Sequence, residues 1–203
     1  MQQTEVVSFI ERYTQCNDCK KQFTPHDWSS LIQIRQHSAH KRTLLALEQN
    51  LSRQKWVEKA LKVETVEGGL DLFFRNEQDA VGCVAYIKSH VPVSEKTSRE
   101  TVSTNEKSNT SNTKITHALI IPQINKDDLL LMHPKFCKQL GNCSPLLLCL
   151  KVTSQLYFLD PTCNRKLVIT PSQFFGLEPY GDIFSFKHYG RVYTVLDNEG
   201  VRN

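Results

Sequence analysis

Two groups of residues in this chain have the types and spacing that could do chemistry. The first is Arg35, His37, His40, Lys41 and Arg42, crowded into one short stretch, with Arg53 and Lys55 further along. Guanidinium, ammonium and imidazole donors at this density suit phosphate oxygens, and a helix N-terminus beside them would add its own partial positive charge. Cations at a helix start also oppose the dipole, so a plainly solvated face is the competing reading. The second group is the CxxC of Cys16-Asn17-Asp18-Cys19. Two thiolates on a tight turn can share one zinc, but tetrahedral closure needs two further ligands. No second CxxC exists, and nearby His26 would bring the set only to three. Thioredoxin-like chemistry wants its CxxC at the start of a helix. Here KKQFTP follows, and Pro25 disfavours helix just before it.

The elements that would position these residues can be read from periodicity. Residues 28–36 (WSSLIQIRQ) have the aromatic and β-branched content of a half-buried strand, and a leucine-bearing run from 43 to about 53 has helical spacing. The basic cluster therefore lies where a strand hands over to a helix. Trp56 and Val57 extend that helix as a short further turn. Residues 60–65 and 70–74 read as strands joined by a Gly68-Gly69 hairpin turn. Asn76 can cap a helix over 77–90, whose buried stripe is Ala80, Val81, Val84 and Ile87. A β-α-β-β-α unit results, a sheet with helices on one face. Ahead of it, residues 4–13 alternate loosely and predict a strand leading into the CxxC.

Beyond this unit, residues 94–114 (SEKTSRETVSTNEKSNTSNTK) hold one hydrophobic residue, Val102. Such a composition buries little apolar area to offset its ordering entropy, which predicts a polar linker or long loop. The pattern then turns to short strands, at 116–122, 128–132, 146–152, 155–159 and 166–170, with one short helix at 134–140. Their even spacing suggests a small barrel. A last strand is expected at 191–197.

Bulk properties set the outer limits. With 203 residues, 39% hydrophobic and 23% charged, the chain can bury one sizeable core or two small ones. A net charge of +4 permits nucleic acid as a partner without demanding it. No apolar run approaches the roughly 20 residues that span a bilayer, so no membrane partner is expected. The first residues do not resemble a secretory signal. Seven cysteines, an odd number, fit reduced thiols, with Cys83, Cys137 and Cys149 as small core residues. P-loop, GxGxxG, GxSxG and HExxH motifs are all absent. Asp127, Asp128 and Asp160 have the chemistry to bind magnesium, but the first two begin a strand and Asp160 sits in an Asp-Pro turn, both common structural roles, and His133 with Cys137 reads as a helix start followed by Pro134.

Two long stretches carry a family resemblance. WSSLIQIRQHSAHKRTLLALEQ resembles W-x-x-x-(V/I)-Q-(V/I)-R-Q-x-x-x-H-(K/R)-R-T-x-x-x-L-E-Q of the eukaryotic large ribosomal subunit nuclear export adaptors, the nonsense-mediated-decay-three family, at Trp28, Gln33, Arg35, Gln36, His40, Lys41, Arg42, Thr43, Leu47, Glu48 and Gln49. Residues 122–169 are similar to the family's second motif at Lys126, Asp127, Asp128, Leu129, Leu140, Gly141, Asn142, Ser144, Pro145, Cys149, Lys151, Val152, Asp160 and Pro161. The resemblance implies that the second stretch is an SH3-like barrel related to translation factor five-A. It also implies that Cys16 and Cys19 stand for the last CxxC of an N-terminal zinc module whose other pairs lie upstream. The aromatic pair Phe174-Phe175 departs from a family pattern that usually includes Trp.

The resulting expectation is an α+β chain: residues 1–27 a strand and half a zinc knuckle, 28–92 an α/β RNA-binding-like domain, 93–114 a linker, 115–190 an SH3-like β-barrel, and 191–203 the start of a truncated OB-like module. The resemblance implies a non-enzymatic adaptor for the large (pre-60S) ribosomal subunit, binding rRNA and ribosomal proteins at the intersubunit face and shuttling between nucleus and cytoplasm. Exportin binding is expected for the family, although its signal lies in a tail that this sequence lacks. The expected RNA contacts are Arg35, His37, His40, Lys41, Arg42, Arg53 and Lys55, and the expected zinc ligands are Cys16 and Cys19. The alternative is a small zinc or thiol enzyme built on that CxxC.

Overall fold

The strand β1 (Ser30–Gln36) is buried at every second residue, with Ile32 and Ile34 wholly inaccessible. This is the period of a strand covered on one face. In a computed structural model, which describes residues 8–16, 19, 28–38, 40–105, 110–176 and 181–184, β1 is the central strand of the first sheet. It is followed by α1 (Arg42–Arg53), the single turn α2 (Trp56–Lys59), the hairpin β2 (Lys62–Val66) and β3 (Gly69–Phe74), then α3 (Glu77–His90). Leu44, Leu47 and Leu51 of α1 and Ala80, Cys83, Val84 and Ile87 of α3 share one apolar core with Ile32, Ile34, Leu72 and Phe74. Val81, counted in the α3 stripe from its sequence, is instead half exposed. Asn76 does not cap α3 with its side chain, which donates to the Asp79 carboxylate at 3.3 Å.

The largest departure from the sequence reading concerns residues 94–114. Those of them that are described form no linker: β4 (Ser94–Asn105) and β5 (Thr110–Ile121) pair as a long antiparallel hairpin. β5 runs parallel to β1 through the register Ser30↔Ile115 to Gln36↔Ile121, giving the order β2-β3-β1-β5-β4. The strand expected over 116–122 thus completes the first sheet rather than opening the second. Backbone pairing and β-branched Thr residues stabilise the hairpin, whose outer part extends past the end of β1 and is exposed. A ribbon with no apolar face has the composition of a loop.

The second sheet collects β6 (Leu129–Met132), β7 (Leu146–Val152), β8 (Leu156–Asp160), β9 (Arg165–Ile169) and β10 (Gly181–Phe184) in the order β10-β6-β7-β8-β9. Between them lie α4 (Pro134–Gln139) and α5 (Pro171–Gly176). The expected closed barrel is not formed among the described residues, where β9 and β10 remain the two edges. Phe174 of α5 is buried in the same core as Leu147, Phe158 and Ile169, so a helical side chain contributes to closing the core there. Of the strand expected at 4–13, residues 8–13 are described: they lie outside regular structure, with Phe9, Ile10 and Tyr13 exposed. The expected strand at 191–197, His26 and most of the turn after Cys19 lie outside the described residues.

Candidate nucleic-acid interface

The corner between β1 and α1 is held by side chains from far along the sequence. Gln36, the last residue of β1, is fully buried. Its Nε2 donates to the Pro122 carbonyl at 3.1 Å, and its Oε1 accepts from the Leu44 N–H at 3.2 Å in the first turn of α1. The helix thus gains the N-terminal cap that Lys41, at the cap position, does not supply. Asn125, also buried, sits against the same turn. Its Oδ1 accepts from Gln36 Nε2 at 3.3 Å and Thr43 Oγ1 at 3.1 Å, while its Nδ2 donates to Ser38 Oγ at 3.1 Å and the His40 carbonyl at 2.9 Å. Asn125 is itself fixed by its N–H on Asp128 Oδ2 at 2.8 Å. The backbone carrying the basic cluster is thereby pinned on its inner side.

The predicted contact residues do not form one site. His37, Ser38 and Lys41, with Gln36, Glu67 and Gly68, line a pocket of about 400 Å³ at the strand end. Arg42, adjacent in sequence, lines a different cleft. Arg53 and Lys55 are exposed at the far end of α1, roughly 18 Å away at 1.5 Å per residue. His40 lies between, half-buried, with its carbonyl held by Asn125.

Arg35 belongs to the sheet rather than the corner. Its Nη1 and Nη2 meet Asp71 Oδ1 and Oδ2 at 2.5 and 3.1 Å, and Nη1 also donates to the Ile34 carbonyl at 3.0 Å. The register sets this diagonal pair, because Arg35 lies opposite Gly69 and Asp71 is two residues on along β3. Gly69 makes it possible: a Cβ there would stand 2.1 Å from the Ile34 carbonyl and 2.7 Å from Arg35 Cδ. Trp28 is likewise engaged, edge-on to Phe73 and covered by the Lys114 ammonium at 3.9 Å.

The thiols divide cleanly. Burial pushes Cys83 and Cys149 up to about 12, which keeps them protonated core residues and poor nucleophiles. The His133 ring accepts from the Lys135 N–H at 3.3 Å, the helix-start role its sequence context implies. Cys16 and Cys19 are exposed, and the Cys19 N–H points at Cys16 Sγ at 3.3 Å. Such an N–H···S contact fits a knuckle that offers two thiolates to a metal. Among the described residues no third His, Cys, Asp or Glu joins them. No helix there is long and apolar enough to cross a membrane.

Comparison with known proteins gives two family matches. A model described as the second domain of NMD3 matches residues 27–121, and one described as the NMD3 SH3 domain matches residues 124–172. The first ends with β5, where the first sheet ends. Among full-length relatives, the 60S ribosomal export protein NMD3 of Dictyostelium discoideum is 34% identical over 197 residues, 97% of this chain and 37% of that protein. The proteins of the same name from Saccharomyces cerevisiae and Mus musculus are 33% and 32% identical, over 85% and 100% of this chain and 33% and 40% of theirs. The chain thus spans well under half the length of these relatives.

Proposed function

The chain belongs to the NMD3 family, and on that premise we propose that it is a non-enzymatic adaptor that docks on the large ribosomal subunit during its maturation and export. The relatives' shared name, 60S ribosomal export protein, supports this reading. It carries with it a location in both nucleus and cytoplasm. The observation that carries the RNA part is the pinned corner. His37 and Lys41 flank backbone that Gln36 and Asn125 hold in place, so the chain that carries their donors needs no ordering when a phosphate arrives. Rigid placement without aromatic interleaving suits the backbone and shape of folded RNA more than base reading. Ribosomal proteins and an exportin belong to the same reading as partners of the whole adaptor.

Zinc enters as a structural group. Cys16 and Cys19 would hold two of its four positions, and the remaining ligands must come from outside the described residues. When bound, the ion would fix the fold of the knuckle. The deciding experiment is co-sedimentation with purified large subunits over a salt series. Binding at low salt that weakens steeply as salt rises is expected. If the chain stays at the top of the gradient at low salt, the docking reading is wrong.

A further inference from the structure

We infer that the cleft between α1 and β7 is a second RNA site, one that takes a single unstacked nucleotide. The cleft, about 380 Å³, falls in the lower part of the roughly 300–1,000 Å³ range of small-ligand sites. Its walls carry Arg42 from α1, Lys126 from the turn before β6 and Lys151 from β7. Its apolar lining comes from Ala46, Leu47, Val91 and Val152, and no aspartate or glutamate lines it. Three cations from three separate elements converge there, and among the described residues none of them is held in an ion pair. Arg35, Lys62, Lys88 and Arg99, by contrast, each have a carboxylate partner.

The combination selects the ligand class. A purely acidic peptide would satisfy the cations and leave the apolar lining wet. A nucleotide offers both parts, an anionic phosphate for the cations and a flat, weakly hydrated base for the apolar lining. A base still stacked in a duplex cannot enter, so the occupant is a loop, bulge or single strand. The cleft is also fixed in shape, because Asn125, next to Lys126, ties the second sheet to the start of α1.

This inference extends the docking reading to a second contact, and its test uses no ribosomes. Binding of a fluorescent RNA octamer to the purified chain is compared with binding of an octamer of equal charge lacking its bases. The intact octamer is expected to bind about tenfold tighter, the factor that corresponds to ~1.4 kcal/mol. Val152→Ser should shrink that ratio. Lys126→Ala and Lys151→Ala, at exposed positions, should each reduce the slope of log K against log salt by about 0.7 for both octamers. Equal affinity for the two octamers overturns the proposal, as does a salt slope unmoved by both lysine variants. Displacement of the octamer by polyglutamate or by AMP as effective as by unlabelled octamer overturns the assignment to RNA. Octamer binding without subunit co-sedimentation would uphold the cleft and sink the docking reading, and the reverse result would do the opposite.

Discussion

The side chains of Gln36 and Asn125, both buried and far apart in sequence, meet at 3.3 Å and together hold the start of α1. Gln36 closes β1 and Asn125 precedes the second sheet, so one amide pair couples the basic corner to both halves of the described chain. Asn125→Ala would strip partners from Gln36, Thr43 and the His40 carbonyl at once. A loss of about 2–4 kcal/mol is expected, since buried polar groups left unpaired cost ~1–3 kcal/mol apiece and water re-enters at part of the site. Urea unfolding measures the loss, and amide exchange should quicken from Ser38 through Leu44. A midpoint unchanged from the parent would show that the pinning contributes nothing.

Arg35 and Lys41 should behave oppositely. Arg35→Ala removes a partly buried bidentate pair with Asp71 and should lower stability by ~1–3 kcal/mol while leaving the salt slope of subunit binding unaltered. Lys41→Ala should leave stability within about 0.5 kcal/mol. It should reduce that slope by about one, because one phosphate contact is lost. The paired measurement, denaturation beside salt-dependent sedimentation, separates the two roles. A flattened slope for Arg35→Ala would return that residue to the RNA face.

This contrast shows how far sequence alone could reach. The strand at 28–36 and the helix at 77–90 were legible because half-buried elements print their period on the chain. The basic corner was legible as composition. What set Arg35 apart from Arg42 was not, because its partner Asp71 is supplied by strand register, which no local pattern encodes. The β4–β5 hairpin was missed for a related reason: with no apolar face over its outer length, only the pairing of its backbone marks it as a strand. Lys126 and Lys151 carry no signal of their own, and converge on Arg42 only once the second sheet is set against α1.

Gly69 tests the sheet directly. A methyl group there would stand 2.1 Å from the Ile34 carbonyl, a backbone atom of the central strand that cannot turn aside. Gly69→Ala should therefore cost ~3 kcal/mol or more and shift the β1–β3 register, in line with overpacking at a tightly packed site. The neighbouring Gly68 is a useful control. It has a φ of +77°, and a Cβ there would meet the Gln36 carbonyl at an ordinary contact distance of 3.6 Å, so Gly68→Asn, at a conformation Asn tolerates, should be mild. Thermal melting of both variants checks the order, and a Gly69→Ala protein as stable as Gly68→Asn would contradict the close approach.

Acid should loosen the chain through two particular carboxylates. The Lys88 ammonium hydrogen-bonded to Glu95, joined by His117, holds that carboxyl below its ordinary 4.5. The Ser144 N–H at 2.8 Å and then the Thr162 N–H at 2.9 Å hold Asp160 below its ordinary 3.8. A carboxylate depressed in the folded state binds its proton more weakly there than in the unfolded chain, so unfolding takes up protons. The stabilisation is complete above the ordinary carboxylate range and is lost as pH falls through the depressed folded values. Urea midpoints should hold steady from pH 7 to about 5 and then fall below about pH 4.5. Glu95→Gln and Asp160→Asn should each start lower at pH 7 and fall less steeply in acid. Because Glu95 ties β4 to α3 while Asp160 ties β8 to the segment before β7, the part of amide exchange that quickens on going to acid should shrink in the first sheet for Glu95→Gln and in the second sheet for Asp160→Asn.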